Sequence, residues 1–317
     1  MHQVDILKLS TLSLVEKLKI IQFGFDNALA IFEQHKSINP KAKMLFIMPE
    51  NTFSARGELS HYSVQDAAFI FNYFLNLSQK YTDVIILPGS IKRYKQSTSE
   101  NDAEAISATK LTGQWFHEVL DLHGKTLTPS FNERMSRLSI KNERRLLLQN
   151  TAFLACNGKI VFIDKKVPYK ELVTDREKRD GVFQFGVTEN EVNIEGLNFG
   201  VEICCDNDFG LLASHASLPI DVHILISATI PTFTDAIACH KDGLYIHCDA
   251  SPSENSIVIK FEDGKGIELK PALKAQEYGL MAFEVDLTEL KYQEKKTALT
   301  NIEREDITFF KRKSIKY

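Results

Sequence analysis

The feature that most constrains how this 317-residue chain can fold is a rhythm of short apolar runs, each ended by Pro, Gly or polar residues, that recur after stretches of helical periodicity. "KAKMLFIMPE" and "YTDVIILPGS" read as buried strands after helices. The alternation returns with "NGKIVFIDKK", "LNFGVEICCD", "DVHILISATI", "GLYIHCDAS", "NSIVIKFEDGKGIELK" and "GLMAFEVDL", and helices are expected around 11–36, 62–81, 207–217 and 232–242. Strands alternating with helices describe an α/β domain of many strands. The "NG" at 157–158 and "EDGKG" at 262–266 read as hairpins, so the sheets are mixed rather than all parallel.

One region breaks the rhythm. From Lys92 to about Arg145 the chain is polar, and it holds the sole tryptophan, Trp115, beside Phe116 and Leu120. So long a stretch reads as an insertion on a single domain spanning 1–317, either a surface excursion with one amphipathic helix or a lid or pocket wall. The tail around 291–317 alternates charge and aromatics and suits a dimer-contact arm or a solvated end equally well, with an export signal as a further reading.

Composition narrows the function classes. A formal charge of -4 and a pI near 6.2 give no surface for nucleic acid or an anionic membrane. The N-terminal periodicity is interrupted by Asp5, Glu16 and Lys17, unlike the apolar core of a signal peptide. Five scattered cysteines (Cys156, Cys204, Cys205, Cys239, Cys248) without a C-x-x-C pair favour reduced thiols in a cytoplasm, and no histidine pair has metal-ligand spacing. No metal and no cofactor are expected.

The residues that carry chemistry sit at the ends of apolar runs. In "LNFGVEIC" the alternation puts Phe199, Val201 and Ile203 on one face and Gly200, Glu202 and Cys204 on the other, so Cys204 ends the strand at a turn, where a thiol is held rigidly. Cys205 then points the opposite way, toward packing. A thiol nucleophile needs a base and a donor for the oxyanion it creates. No histidine stands out by context, but Glu50 closes "MLFIMPE" and Lys165 closes "KIVFIDK", two charges emerging from buried strands.

Together "FIMPE", "NGKIVFIDKK" and "GVEICCDNDF" resemble the three signatures of the nitrilase, or carbon–nitrogen hydrolase, superfamily, in the same chain order. The resemblance extends over roughly 40–290 through "NTAFLACNGKIVFIDKKVP", "DVHILISATI", "NSIVIKFEDGKGIELK" and "YGLMAFEVDLTEL". It implies a four-layer αββα sandwich of two mixed sheets that associates through its helix layer into dimers or larger assemblies. It also implies the roles: Glu50 as general base, Lys165 as the cation for the tetrahedral intermediate, Cys204 as nucleophile, and the Cys205 backbone N–H as an oxyanion donor. Lys166 competes with Lys165. For the supporting second glutamate, Glu171 matches best, with Glu177 and Glu202 as alternatives. Ser227 and Thr229 resemble pocket-lining positions, and His247 or the insertion is placed to select charge.

The chain departs from the family where an aromatic commonly follows the cysteine, since Cys205 stands there, and at the N-terminal forty residues, which match poorly. The implied activity is amidase-like hydrolysis of a small amide or carbamoyl substrate, ahead of a nitrile. The alternative is a protein that keeps the sandwich but works as a binding module through its insertion.

Overall fold

The computed structural model describes residues 12–96, 146–167, 173–250 save 185 and 187, 256–275 and 280–285. The chain enters through α1 (Leu14–Ile38), started by a capping box in which the Ser13 side chain and the Glu16 carboxylate each satisfy the other's backbone N–H. Its buried Leu18, Ile21, Phe25 and Phe32 recur at helical spacing. The apolar runs then become β1 (Met44–Ile47), β2 (Tyr62–Ser63), α2 (Val64–Lys80), β3 (Val84–Leu87) and β4 (Ser90–Gln96). After the insertion come β5 (Leu146–Cys156), β6 (Lys159–Asp164), α3 (Asp175–Asp180) and β7 (Gly181–Phe183). These strands form a seven-stranded mixed sheet in the order β1-β3-β5-β4-β2, with β6 and β7 also paired to β5.

A second sheet follows: β8 (Glu191–Ile194), β9 (Leu197–Ile203), the short helices α4 (Cys205–Asp208) and α5 (Leu211–His215), then β10 (Ile220–Ser227), β11 (Cys239–Asp249), β12 (Ile257–Glu262) and β13 (Lys265–Glu268). Its order is β13-β12-β11-β10-β9-β8, with β9, β10 and β11 parallel. The strands β14 (Leu273–Ala275) and β15 (Leu280–Ala282) pair with each other.

The two sheets pack face to face. Leu87, Ala152, Leu154 and Ile163 of the first share one apolar cluster with Phe199, Val201, Ile203, Val222, Ile224 and Ile226 of the second. The other face of the first sheet buries Phe153 and Ala155 under α1 and α2. Period-2 alternation along β5 thus feeds two cores at once. On the outside of the second sheet α5 lies so close that a Cβ on Gly200 would come 2.3 Å from Leu212. The layering is α, β, β, α, as expected, with a thin fourth layer.

Several local expectations change. The segment 232–242 holds only the 3-10 turn Thr234–Ala236. From Cys239 its backbone is taken up by the parallel ladder with β10, which outweighs local helical preference. The helix expected over 207–217 is two short ones, divided at Gly210, whose left-handed φ of 60° breaks the helical run. Lys92 to Gln96 continue β4 rather than beginning the polar insertion. Residues 97–145 of that insertion, Trp115 included, and the tail at 291–317 lie outside the described residues.

Phe153 is fully buried, with ring centroids 5.0 Å from Phe71 and 5.7 Å from Phe74. Phe153→Ala is expected to cost about 3–5 kcal/mol, read as a lower denaturant midpoint.

Candidate active site

Glu50 follows β1 in a loop pressed against the turn between β3 and β4. At Gly89 in that turn φ is 83°, and a Cβ there would meet the Pro49 carbonyl oxygen at 2.2 Å, so the close approach needs glycine. The loop is tied on its far side by Lys17 of α1, fully buried, whose Nζ donates to the Ser54 carbonyl oxygen. Burial lowers the Lys17 amine to about 8.

Lys165 ends β6 one residue past the strand. Its backbone N–H donates to the Asn150 carbonyl at 2.8 Å, and its Nζ reaches Glu50 Oε1 at 2.7 Å. Asn150 Nδ2 donates to the same carboxylate oxygen at 3.0 Å. Glu50 is 2% exposed and Lys165 1%, so this is a buried ion pair in which neither charge has solvent to fall back on. Lys166 places its backbone N–H on the Asp206 carboxylate, and burial lowers its amine.

Cys204 approaches from the second sheet. The alternation that assigned it to the face of Gly200 and Glu202 stops at Ile203, because Cys204 itself adopts φ 52° and ψ −114°. This is sparsely populated backbone for a residue with a Cβ. The bend is held by the Cys204 N–H on the Ile226 carbonyl at 2.8 Å and by Asn207 N–H on the Cys204 carbonyl at 3.0 Å. Cys204 therefore joins the cluster between the sheets, and Cys205 joins it too instead of pointing away. The Cys204 thiol is raised far above its ordinary range by contact with the Cys205 thiol, by burial and by the Glu50 carboxylate, with Lys165 pulling the other way. The structure thus brings Glu50, Lys165 and Cys204 within electrostatic reach of one another.

The remaining candidates are distributed differently. Glu171 lies outside the described residues. Glu177 caps α3 and holds the loop 60–61, accepting from His61 Nδ1 at 2.7 Å and from the Thr174 N–H at 3.0 Å. Glu202 faces the outer layer, accepting from Asn207 Nδ2 at 2.7 Å, Leu212 N–H at 2.8 Å and His223 Nε2 at 3.0 Å. Ser227 is buried in an outer-face network with His247 Nε2 at 2.7 Å and with Asp249, while Thr229 is exposed beyond β10. A cavity of about 600 Å³ opens between the start of α1 and the loop after Glu50, lined by Arg56, His61, Tyr62, Tyr94 and Arg176. None of Glu50, Lys165 and Cys204 lines it.

Two residues escaped the sequence reading. Asn150 sits mid-strand in "LLLQNTAFLAC", where a polar side chain on the face of Ala152 and Leu154 was the available signal. Asp206 looked like part of a turn. It is fully buried, and its carboxylate accepts from the Val167 N–H at 2.7 Å and the Lys166 N–H at 3.1 Å. Among the described residues no group of three or more His, Cys, Asp or Glu side chains could hold a metal.

No family model matches the sequence, and no curated protein matches it. Among solved structures the chain is similar to Saccharomyces cerevisiae Nit3 of the nitrilase superfamily, at 17% identity over 80% of each chain with a TM-score of 0.41. It is similar to an amidase from Nesterenkonia sp. AN1, at 12% identity over 85% of this chain and 91% of that one, with a TM-score of 0.43. It is also similar to a glutamine-dependent NAD+ synthetase from Acinetobacter baumannii, at 15% identity over 77% of this chain but 40% of that one, with a TM-score of 0.37.

The Glu177 carboxyl generates a pH prediction. Burial pushes it up, but the His61 hydrogen bond, the Thr174 N–H and the nearby His61 charge outweigh burial and bring it to about 2. A carboxyl held lower in the folded state than in the unfolded chain adds stability above its unfolded value, and that stability is lost as pH falls through its folded value. Thermal melts between pH 5 and 2 should show this loss in the wild type, and Glu177→Gln should flatten that part of the curve.

Proposed function

We propose that the protein is a thiol-dependent carbon–nitrogen hydrolase acting on a small amide or carbamoyl substrate. The observation that carries this is the buried Lys165–Glu50 pair at 2.7 Å with the Cys204 thiol in electrostatic reach of both. The sequence resemblance assigns the same three residues, in the same order, to base, cation and nucleophile.

The raised thiol sets the order of events. Cys204 rests as a protonated thiol, so its proton passes to Glu50 as sulfur attacks the carbonyl carbon rather than beforehand. The tetrahedral oxyanion is met by Lys165 Nζ and the Cys205 backbone N–H. Glu50 returns the proton to the departing nitrogen, the carbon–nitrogen bond breaks, and a thioester remains on Cys204. Water that loses a proton to Glu50 then attacks the thioester, releasing the acid and restoring the thiol.

The preference for an amide or carbamoyl group over a nitrile comes from the family that the sequence resembles, in which amide hydrolysis is the commoner activity.

Pooled small amides should leave an acyl adduct on Cys204 detectable by mass spectrometry. Iodoacetamide at neutral pH should modify Cys204 much faster than Cys205; equal sluggishness overturns the hydrolase and leaves the binding module. Cys204→Ala and Glu50→Gln should each lower turnover by roughly 10² to 10⁴. Lys165→Ala should do the same and also destabilise the fold by about 3–5 kcal/mol, because it strands a buried carboxylate. Cys205→Ala should alter substrate preference alone.

A further inference from the structure

The geometry points to Asp206 as a positioning residue that ties the lysine-bearing sheet to the cysteine turn and so sets the alignment of the proposed catalytic groups. This rests on the hydrolase reading above.

Glu50 and Lys165 belong to the first sheet and Cys204 to the second. The contact between the sheets is made of apolar side chains, whose attraction is non-directional and fixes no lateral register to a fraction of an ångström. Acyl transfer needs such register, since a displacement of about 1 Å can cost roughly 10²-fold in rate.

Directional bonds cross this gap at the turn beside the site, as they also do at its exposed edge, where Lys43 Nζ and Asn157 Nδ2 donate to Glu195 at 3.0 and 3.1 Å. Lys165 is held to its own sheet by its N–H on the Asn150 carbonyl at 2.8 Å, and its carbonyl takes the Gly186 N–H, from the segment after β7, at 3.0 Å. The next two residues are held from the other sheet: Asp206 Oδ1 takes the Val167 N–H at 2.7 Å and the Lys166 N–H at 3.1 Å, and Oδ2 takes the latter at 3.2 Å. Asp206 lies two residues past Cys204, in the turn closed by the Asn207 N–H on the Cys204 carbonyl. Three consecutive residues, Lys165 to Val167, are thereby bonded first to one sheet and then to the other.

A fully buried carboxyl is costly unless its oxygens are used. Burial pushes Asp206 up to about 7 against the pull of the Val167 N–H and of Lys165, while Glu202 adds to the rise. Acid or anion, its oxygens still accept those N–H groups, so the tie depends on shape more than on charge. An asparagine can reproduce it through Oδ1, and an alanine cannot.

The test is a cycle on the full chain, read as the iodoacetamide alkylation rate of Cys204 by peptide mass spectrometry, with a thermal melt for each variant. In the wild type, Glu50→Gln should slow alkylation at least tenfold. In an Asp206→Ala background the same substitution should change the rate by less than threefold, and Asp206→Asn should restore the wild-type factor. Loss of stability alone would not erase sensitivity to Glu50. An unchanged Glu50 effect in Asp206→Ala overturns the positioning role and leaves the hydrolase reading standing. No Glu50 effect in the wild type overturns that reading and this inference with it. If Asp206→Ala does not fold, Asp206→Ser, whose hydroxyl is too short to span both N–H groups, takes its place with the same expected outcome.

Discussion

The ion pair between Lys165 and Glu50 is the interaction on which the rest of the site depends. Both groups are almost wholly removed from water, and a buried charge without its partner would cost more than most single contacts return. The first sheet is arranged to keep them together. Glu50 is aimed by a loop pressed onto Gly89 and anchored by Lys17, Lys165 is aimed by its bond to the Asn150 backbone, and the Asn150 side chain occupies the carboxylate oxygen that Lys165 also uses. With the ammonium committed to the carboxylate, the site holds a cation and an anion in one fixed arrangement.

The contribution of that second sheet is a bend. Had Cys204 stayed in extended backbone, its thiol would lie with Glu202 on the outer face, under α5 and beside His223. The positive φ turns it inward, to Glu50 and Lys165, at the expense of local strain. The surroundings then keep the thiol protonated, because neighbouring sulfur, burial and the Glu50 charge all oppose a thiolate. A resting thiol beside a carboxylate and an ammonium is the neutral, compact starting point that the proposed coupled proton transfer and attack requires.

Much of the architecture was legible in the residues because burial imposes periodicity. Strands at 44–47, 84–87, 159–164 and 197–203 fall inside the apolar runs, the strand at 220–227 begins one residue before its run, and α1 and α2 follow the helical spacing of their buried faces. Glu50, Lys165 and Cys204 stood out for a related reason: each ends a run whose other members are committed to packing. The misplaced helix at 232–242 shows the limit, since β11 starts within that stretch at Cys239 and pairs with β10, a partnership that local preference does not record. Glu177 and Glu202 show it too. Their partners, His61 and His223, come from other elements, and those partners decide what each carboxylate supports.

By itself the sequence determined the α/β class, the strands that would be buried, and the three chemically suited residues at their ends, because hydrophobic periodicity and an out-of-place charge are properties of local order. Only the tertiary structure decided that Lys165 rather than Lys166 meets Glu50, that Cys204 turns inward, and that Asp206 bridges the two sheets. Each of those outcomes depends on a single backbone dihedral or on a hydrogen bond between residues 39 or more apart, as from Val167 and Lys166 to Asp206 or from Lys165 to Glu50, and such couplings exist only once the sheets have packed.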